Sequence, residues 1–178
     1  MQKKKTDLES RCQMFVVDDY IASVASNLVE KDDLLLAYFR KVRELESSLD
    51  ARNLLFTLYI EPSRFELTFV LFAYDNHANE VMGLLEGENF VSNVSSQEIP
   101  YFSLSNSEFE KYEKFYEEHE WEIDTKQQEV FFSWFLSNWK VGRRAQHPMP
   151  IYLQIHDEER TLDLNQEKWI SSEEIWKG

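Results

Sequence analysis

The sequence predicts an α+β protein: one domain over residues 1–178, with an antiparallel or mixed sheet of about four to six strands built from hairpins. N-terminal helices and a central aromatic-rich helix are expected to pack on that sheet. Three observations predict this. Stretches with apolar residues at the helical period interleave with stretches rich in β-branched and aromatic residues. The repeated strand–helix–strand spacing of a doubly wound fold is missing, and so are internal repeats and low-complexity linkers. The 178 residues are 43% hydrophobic and 15% aromatic with only four Gly and four Pro, enough to build a core and too apolar for a disordered chain.

Residues 1–15 carry Lys3, Lys4 and Lys5 without an apolar run behind them, so a mobile N-terminal segment is expected and no targeting peptide. Asp18 and Asp19 place acids in a first helical turn, and Ile21, Val24, Ala25, Leu28 and Val29 follow on one face. Asp32 and Asp33 restart the pattern. Leu34, Leu35, Tyr38, Phe39, Val42, Leu45 and Leu49 lie on one side, with Arg40, Lys41, Arg43, Glu44 and Glu46 opposite. Residues 18–49 therefore read as two helices, or as one bent helix, because Glu30 and Lys31 at the join are good helix formers.

From Asn53 the texture changes. Residues 54–60 and 65–74 read as strands joined by a turn at 61–64. In the second, Phe65, Leu67, Phe69, Leu71 and Ala73 share a face; the other face begins with Glu66 and Thr68 but continues with Val70, Phe72 and Tyr74, so burial on both sides is expected there. Residues 75–79 form a turn. Residues 80–86 suit a third strand or a short helix ended by Gly87, residues 89–97 an exposed strand or loop, and residues 99–104 a short strand. Ser107 with Glu110 forms a capping box for an acidic helix to about Glu118, striped by Phe109, Tyr112 and Tyr116.

A second box, Thr125 with Gln128, is expected to start the aromatic helix, with Val130, Phe131, Trp134, Phe135 and Trp139 on one face and Gly142 as its C-cap. Phe132 and Leu136 widen that face, so the helix is either buried all round or partly meets a partner or ligand. Ile151, Leu153 and Ile155 then alternate with Tyr152, Gln154 and His156. Residues 157–159 turn the chain, and Leu162 and Leu164 point inward from a returning strand. Ser171 to Glu174 caps a last short helix ending at Trp176.

The net charge is −14, and it is uneven. Residues 108–124 hold eight acids and two lysines, and residues 157–174 hold seven acids against Arg160 and Lys168. Such a surface repels phosphate backbones and anionic lipid, so neither nucleic acid nor a membrane is expected as a partner; a basic protein is. No apolar run approaches the roughly 20 residues of a membrane span. The single Cys12 excludes an internal disulfide and any multi-cysteine zinc site, and fits a reducing cytoplasm.

Motifs of catalysis are missing. Glycines at 83, 87, 142 and 178 allow no phosphate-cradling loop, and no G-x-S-x-G elbow occurs. His119 lies among Glu117, Glu118, Glu120 and Glu122, but Tyr116 occupies the position where a helical carboxylate–histidine motif needs Glu. No catalytic residue, metal site or cofactor is therefore expected. Two surfaces stand out. Glu113, Tyr116, Glu117, Glu120 and Trp121 combine carboxylates with interface-type aromatics, a surface for a basic partner. Arg143, Arg144 and His147, between a helix end and Pro148 and Pro150, form a positive island for an anion or small molecule beside Trp134 or Trp139, or simply satisfy the helix end. In size, charge and aromatic content the chain resembles the immunity proteins that neutralise toxins, which implies a non-enzymatic protein-binding module.

Overall fold

The computed structural model describes residues 16–44, 51–81, 97–142 and 149–176. Two N-terminal helices, α1 (Val17–Val29) and α2 (Asp32–Glu44), are separated at Glu30 and Lys31, where the chain turns and Lys31 N–H bonds the Leu28 carbonyl at 2.8 Å. The acids Asp32 and Asp33 that open α2 thus mark a true helix start. Strands β1 (Asn53–Glu61) and β2 (Glu66–Tyr74) form the expected hairpin, paired from Asn53–Tyr74 to Glu61–Glu66. Phe65 in its turn sits at φ 54°, a left-handed conformation unfavourable for an aromatic residue. Burial offsets the strain, because the Phe65 ring lies edge-on to Tyr112 at 4.8 Å and to Phe102 at 5.4 Å.

β3 (Gln97–Pro100) pairs with β2 and is shorter than the stretch 99–104 predicted. After Pro100 the chain leaves the sheet, and Asn27 of α1 donates to the Tyr101 carbonyl at 3.0 Å. Of residues 80–86, Glu80 bridges Tyr74, and 82–86 lie outside the described residues, as do 89–96, Leu45, Leu49 and the N-terminal 1–15. Strands β4 (Ile151–Ile155), β5 (Arg160–Asp163) and β6 (Lys168–Ser171) follow, then a 3-10 turn, Ser172–Trp176. The sheet is six-stranded, in the order β3-β2-β1-β4-β5-β6, and mixed: β1 and β4 are parallel and every other pair is antiparallel.

The largest difference from the sequence reading is α3, Asn106–Gly142, one helix of 37 residues where two were expected. Thr125 and Gln128 are no capping box; Thr125 Oγ1 donates to the Trp121 carbonyl at 2.8 Å inside a continuous helix. The real box is Ser105 with Glu108, not Ser107 with Glu110. The Glu108 carboxylate accepts from the Ser105 N–H at 3.1 Å and from its hydroxyl, and the Glu108 N–H bonds the Ser105 carbonyl. Gly142 does not cap with positive φ either. It permits close approach of α2, since a Cβ there would lie 3.2 Å from the Phe39 ring.

All three helices cover one face of the sheet. Leu54, Phe56 and Leu58 of β1, Leu67, Phe69 and Leu71 of β2 and Ile151, Leu153 and Ile155 of β4 meet Phe39, Phe131, Phe135 and Trp139. Phe135 lies edge-on to Phe39 at 5.0 Å and to Phe56 at 5.2 Å, and tilted against Phe69 at 5.2 Å. β2 is not buried on both sides, because Val70, Phe72 and Tyr74 remain half-exposed. Burial on the second face occurs at β1 and β4, where Leu55, Tyr152 and Ile175 make a small cluster under the 3-10 turn. Phe132, which widens the aromatic face of α3, is met by Trp169 of β6 at 4.6 Å.

Candidate functional site

A 37-residue helix is about 55 Å long, whereas nine-residue strands span about 30 Å, so α3 cannot be backed by the sheet along its whole length. Its C-terminal part is buried through Ile123, Gln127, Phe131, Phe135 and Trp139. Its N-terminal part rests on Tyr112 and Phe115, which touch Tyr20 of α1. Between them residues 117–122 are exposed in succession, more than a full turn with no packed face. Trp121 in that turn is 81% exposed.

Of the residues predicted for a basic partner, Glu113, Tyr116, Glu117 and Glu120 share one helix face by their i, i+3, i+4, i+7 spacing, with Trp121 at its margin. Glu113, Glu117 and Glu120 are exposed and take part in no ion pair among the described residues. Glu122, by contrast, shares Lys126 with Asp18, each at 2.7 Å. Tyr116 is half-buried, and its hydroxyl donates to Asp124 Oδ1 at 2.6 Å. Burial first, then that hydrogen bond, raises its pKa far above that of a free tyrosine. Tyr112 is fully enclosed; its hydroxyl lies 3.2 Å from that of Tyr20, which also receives the Gln127 amide at 2.7 Å.

The same helix face runs on to Asp124, Gln127 and Gln128. There a pocket of about 200 Å³ opens between α3 and the carboxyl ends of β1 and β4, walled by Ile60, Pro62 and Ile155, with His156 and Glu158 at its rim. The carboxyl ends of parallel strands are where open sheets hold ligands, and β1–β4 is the parallel pair here. Glu158 accepts from Gln128 at 3.1 Å. His156 lies just past β4, exposed, stacked on Tyr59 at 4.5 Å and paired to Asp157 at 2.9 Å. Beyond Gln128 a second cavity of about 340 Å³ is floored by Phe132 and Trp169, with the Arg160 guanidinium 4.3 Å above the Trp169 ring.

A larger groove, about 520 Å³, lies elsewhere, between α1 and α3. It is mainly apolar, through Ile21, Ala25, Val29 and Trp134. Asp32 accepts from Trp134 Nε1 at 2.7 Å and from Asn138 at 2.9 Å. Arg143, Arg144 and His147 lie outside the described residues. Of the aromatics expected beside them, Trp139 is enclosed in the core and Trp134 lines this groove. No three of His, Cys, Asp and Glu among the described residues converge to hold a metal ion; His119 sits exposed with its ring 5.4 Å from Phe115.

Glu113, Glu117, Glu120 and Trp121 were legible as a surface because a helix period places them together. Asp124 was legible in the same way, one turn past Glu120, whereas Ile60, Pro62 and Ile155 join the site only through sheet order. No described helix is long and apolar enough to cross a membrane. No known protein family matches the chain, and no curated protein or solved structure is similar to it.

Proposed function

We propose that the protein is a non-enzymatic, cytoplasmic binding module that docks a basic protein partner on the outer face of α3, through Glu113, Tyr116, Glu117, Glu120 and Trp121. The observation that carries this reading is Trp121, 81% exposed in a helical turn without a packed face. A large apolar ring held in water adds nothing to the fold and is a typical anchor of an interface. Glu113, Glu117 and Glu120 pair with no cation among the described residues, so they attract a cationic surface at long range and speed its association. The same charge opposes nucleic acid and anionic membranes. This is the kind of work done by the immunity proteins, which cover a toxin by charge complementarity.

The test is retention of a basic protein from host lysate at low and at moderate salt. The partner is expected to bind more strongly at low salt, to be lost when Glu113, Glu117 and Glu120 are changed to Lys, and to be weakened by Trp121→Ala. Retention that ignores all of these changes would sink the proposal.

A further inference from the structure

We infer that the pocket between α3 and the ends of β1 and β4 receives one long cationic side chain, a lysine or arginine, of the partner docked on α3. The inference rests on the binding reading above and adds a specific anchor to it. Ile60, Pro62 and Ile155 give the pocket an apolar wall, suited to an aliphatic stem, and Asp124 and Glu158 supply acid at its polar side. No lysine or arginine lines the pocket, and none pairs with either carboxylate among the described residues. One oxygen of each carboxylate is held, Asp124 Oδ1 by the Tyr116 hydroxyl at 2.6 Å and Glu158 Oε1 by Gln128 at 3.1 Å; the second oxygen of each takes no hydrogen bond from a described residue.

A third acceptor comes from inside. Gln127 lines the pocket while only 1% exposed, and its amide nitrogen donates to the Tyr20 hydroxyl at 2.7 Å. No described residue donates to its side-chain carbonyl, which leaves an acceptor in the pocket lining for a ligand rich in donors. Three such oxygens fit an ammonium with three N–H groups or a guanidinium with five, and repel an anion. Position supports the same occupant, because Tyr116, Glu120 and Asp124 stand at i, i+4 and i+8 on α3. A chain seated on the acidic face therefore has the pocket directly beside it.

The test is an NMR titration of the full ¹⁵N-labelled chain with N-acetyl-arginine amide and N-acetyl-lysine amide, with the citrulline and norleucine analogues as uncharged controls. The charged probes are expected to shift the amides of Gln127, Ile155 and His156 saturably, and the neutral ones to leave them in place. Asp124→Asn keeps an oxygen for Tyr116, so the fold is retained; it is expected to weaken the charged probes about tenfold, and Glu158→Gln to act in the same direction. Equal binding of the neutral analogues, unmoved pocket resonances, or affinity indifferent to Asp124→Asn would overturn the inference. The two readings fail separately. A partner lost on reversal of Glu113, Glu117 and Glu120 but retained by Asp124→Asn removes the pocket and leaves the docking. Charged amides that bind where no basic protein is retained remove the docking and leave the cation site.

Discussion

The inner and outer stretches of α3 belong to one helix and are held by different forces. From Ile123 to Trp139 the helix is fixed by burial, with Phe131 and Phe135 fully enclosed between the sheet and the N-terminal helices. From Glu113 to Glu122 it is fixed mainly by its own backbone and by the neighbours at either end, Tyr112 and Phe115 before the bare turn and Ile123 after it. The inner stretch accounts for stability. The outer one exposes a tryptophan and, at Glu113, Glu117 and Glu120, carboxylates that pair with no cation among the described residues, which stability does not require. The bare turn lies between two packed parts of one helix, and its tryptophan and carboxylates are the side chains on which the proposed docking rests.

That contrast can be broken or sharpened by measurement. The largest effect is expected from alkali. Burial pushes the pKa values of Tyr20, Tyr38 and Tyr101 upward, and that of Tyr112 up to about 12. Below the unfolded tyrosine value of about 10 both states are neutral and nothing changes. Above it the unfolded chain loses protons that the folded chain retains, so stability falls as pH rises. Denaturant midpoints should hold steady to about pH 10 and then drop steeply; a flat profile to pH 12 would refute the enclosure of these hydroxyls.

Next comes Phe135→Ala, which leaves a cavity among the rings of Phe39, Phe56 and Phe69 and should cost about 3–5 kcal/mol in chemical denaturation. Asp32→Ala strips the acceptor from Trp134 Nε1 and Asn138, and about 2 kcal/mol is expected. The smallest effect is predicted where the helix is bare: Trp121→Ala should change stability by no more than about 0.5 kcal/mol. A loss as large as that of Phe135→Ala would show that Trp121 supports the fold, and the contrast between the stretches would collapse.

Much of this was written locally in the sequence. Two N-terminal helices, the β1–β2 and β4–β5 hairpins and the aromatic face of α3 follow from period and turn residues. What was missed depends on context. Residues 117–124 have no apolar stripe, so the helical pattern stops there, and Thr125 with Gln128 imitates a helix start. A capping box requires non-helical backbone before it, and only the tertiary structure decides that. β6 was hidden by a turn without Gly or Pro: Asp163 accepts from the Asn165 and Gln166 N–H groups at 2.8 Å, and Glu167 takes φ 56°. For the site, the helix period reveals the acidic face, whereas the pocket needs Ile60 beside Ile155, an adjacency that no local pattern encodes.

The parallel pairing of β1 with β4 also fixes the order in which the chain can be completed. Leu54 meets Ile151 across roughly a hundred intervening residues, and such distant contacts form slowly. During synthesis the run LLFTLYI of β1 has β2 on one side and an unpaired backbone edge on the other until residues 151–155 emerge. A bare apolar edge recruits other strands, so the nascent chain is open to wrong pairings until β4 is in place. A chain stopped at Gly142 should accordingly aggregate or stay chaperone-bound, and the last strands act as the latch that closes the edge of β1.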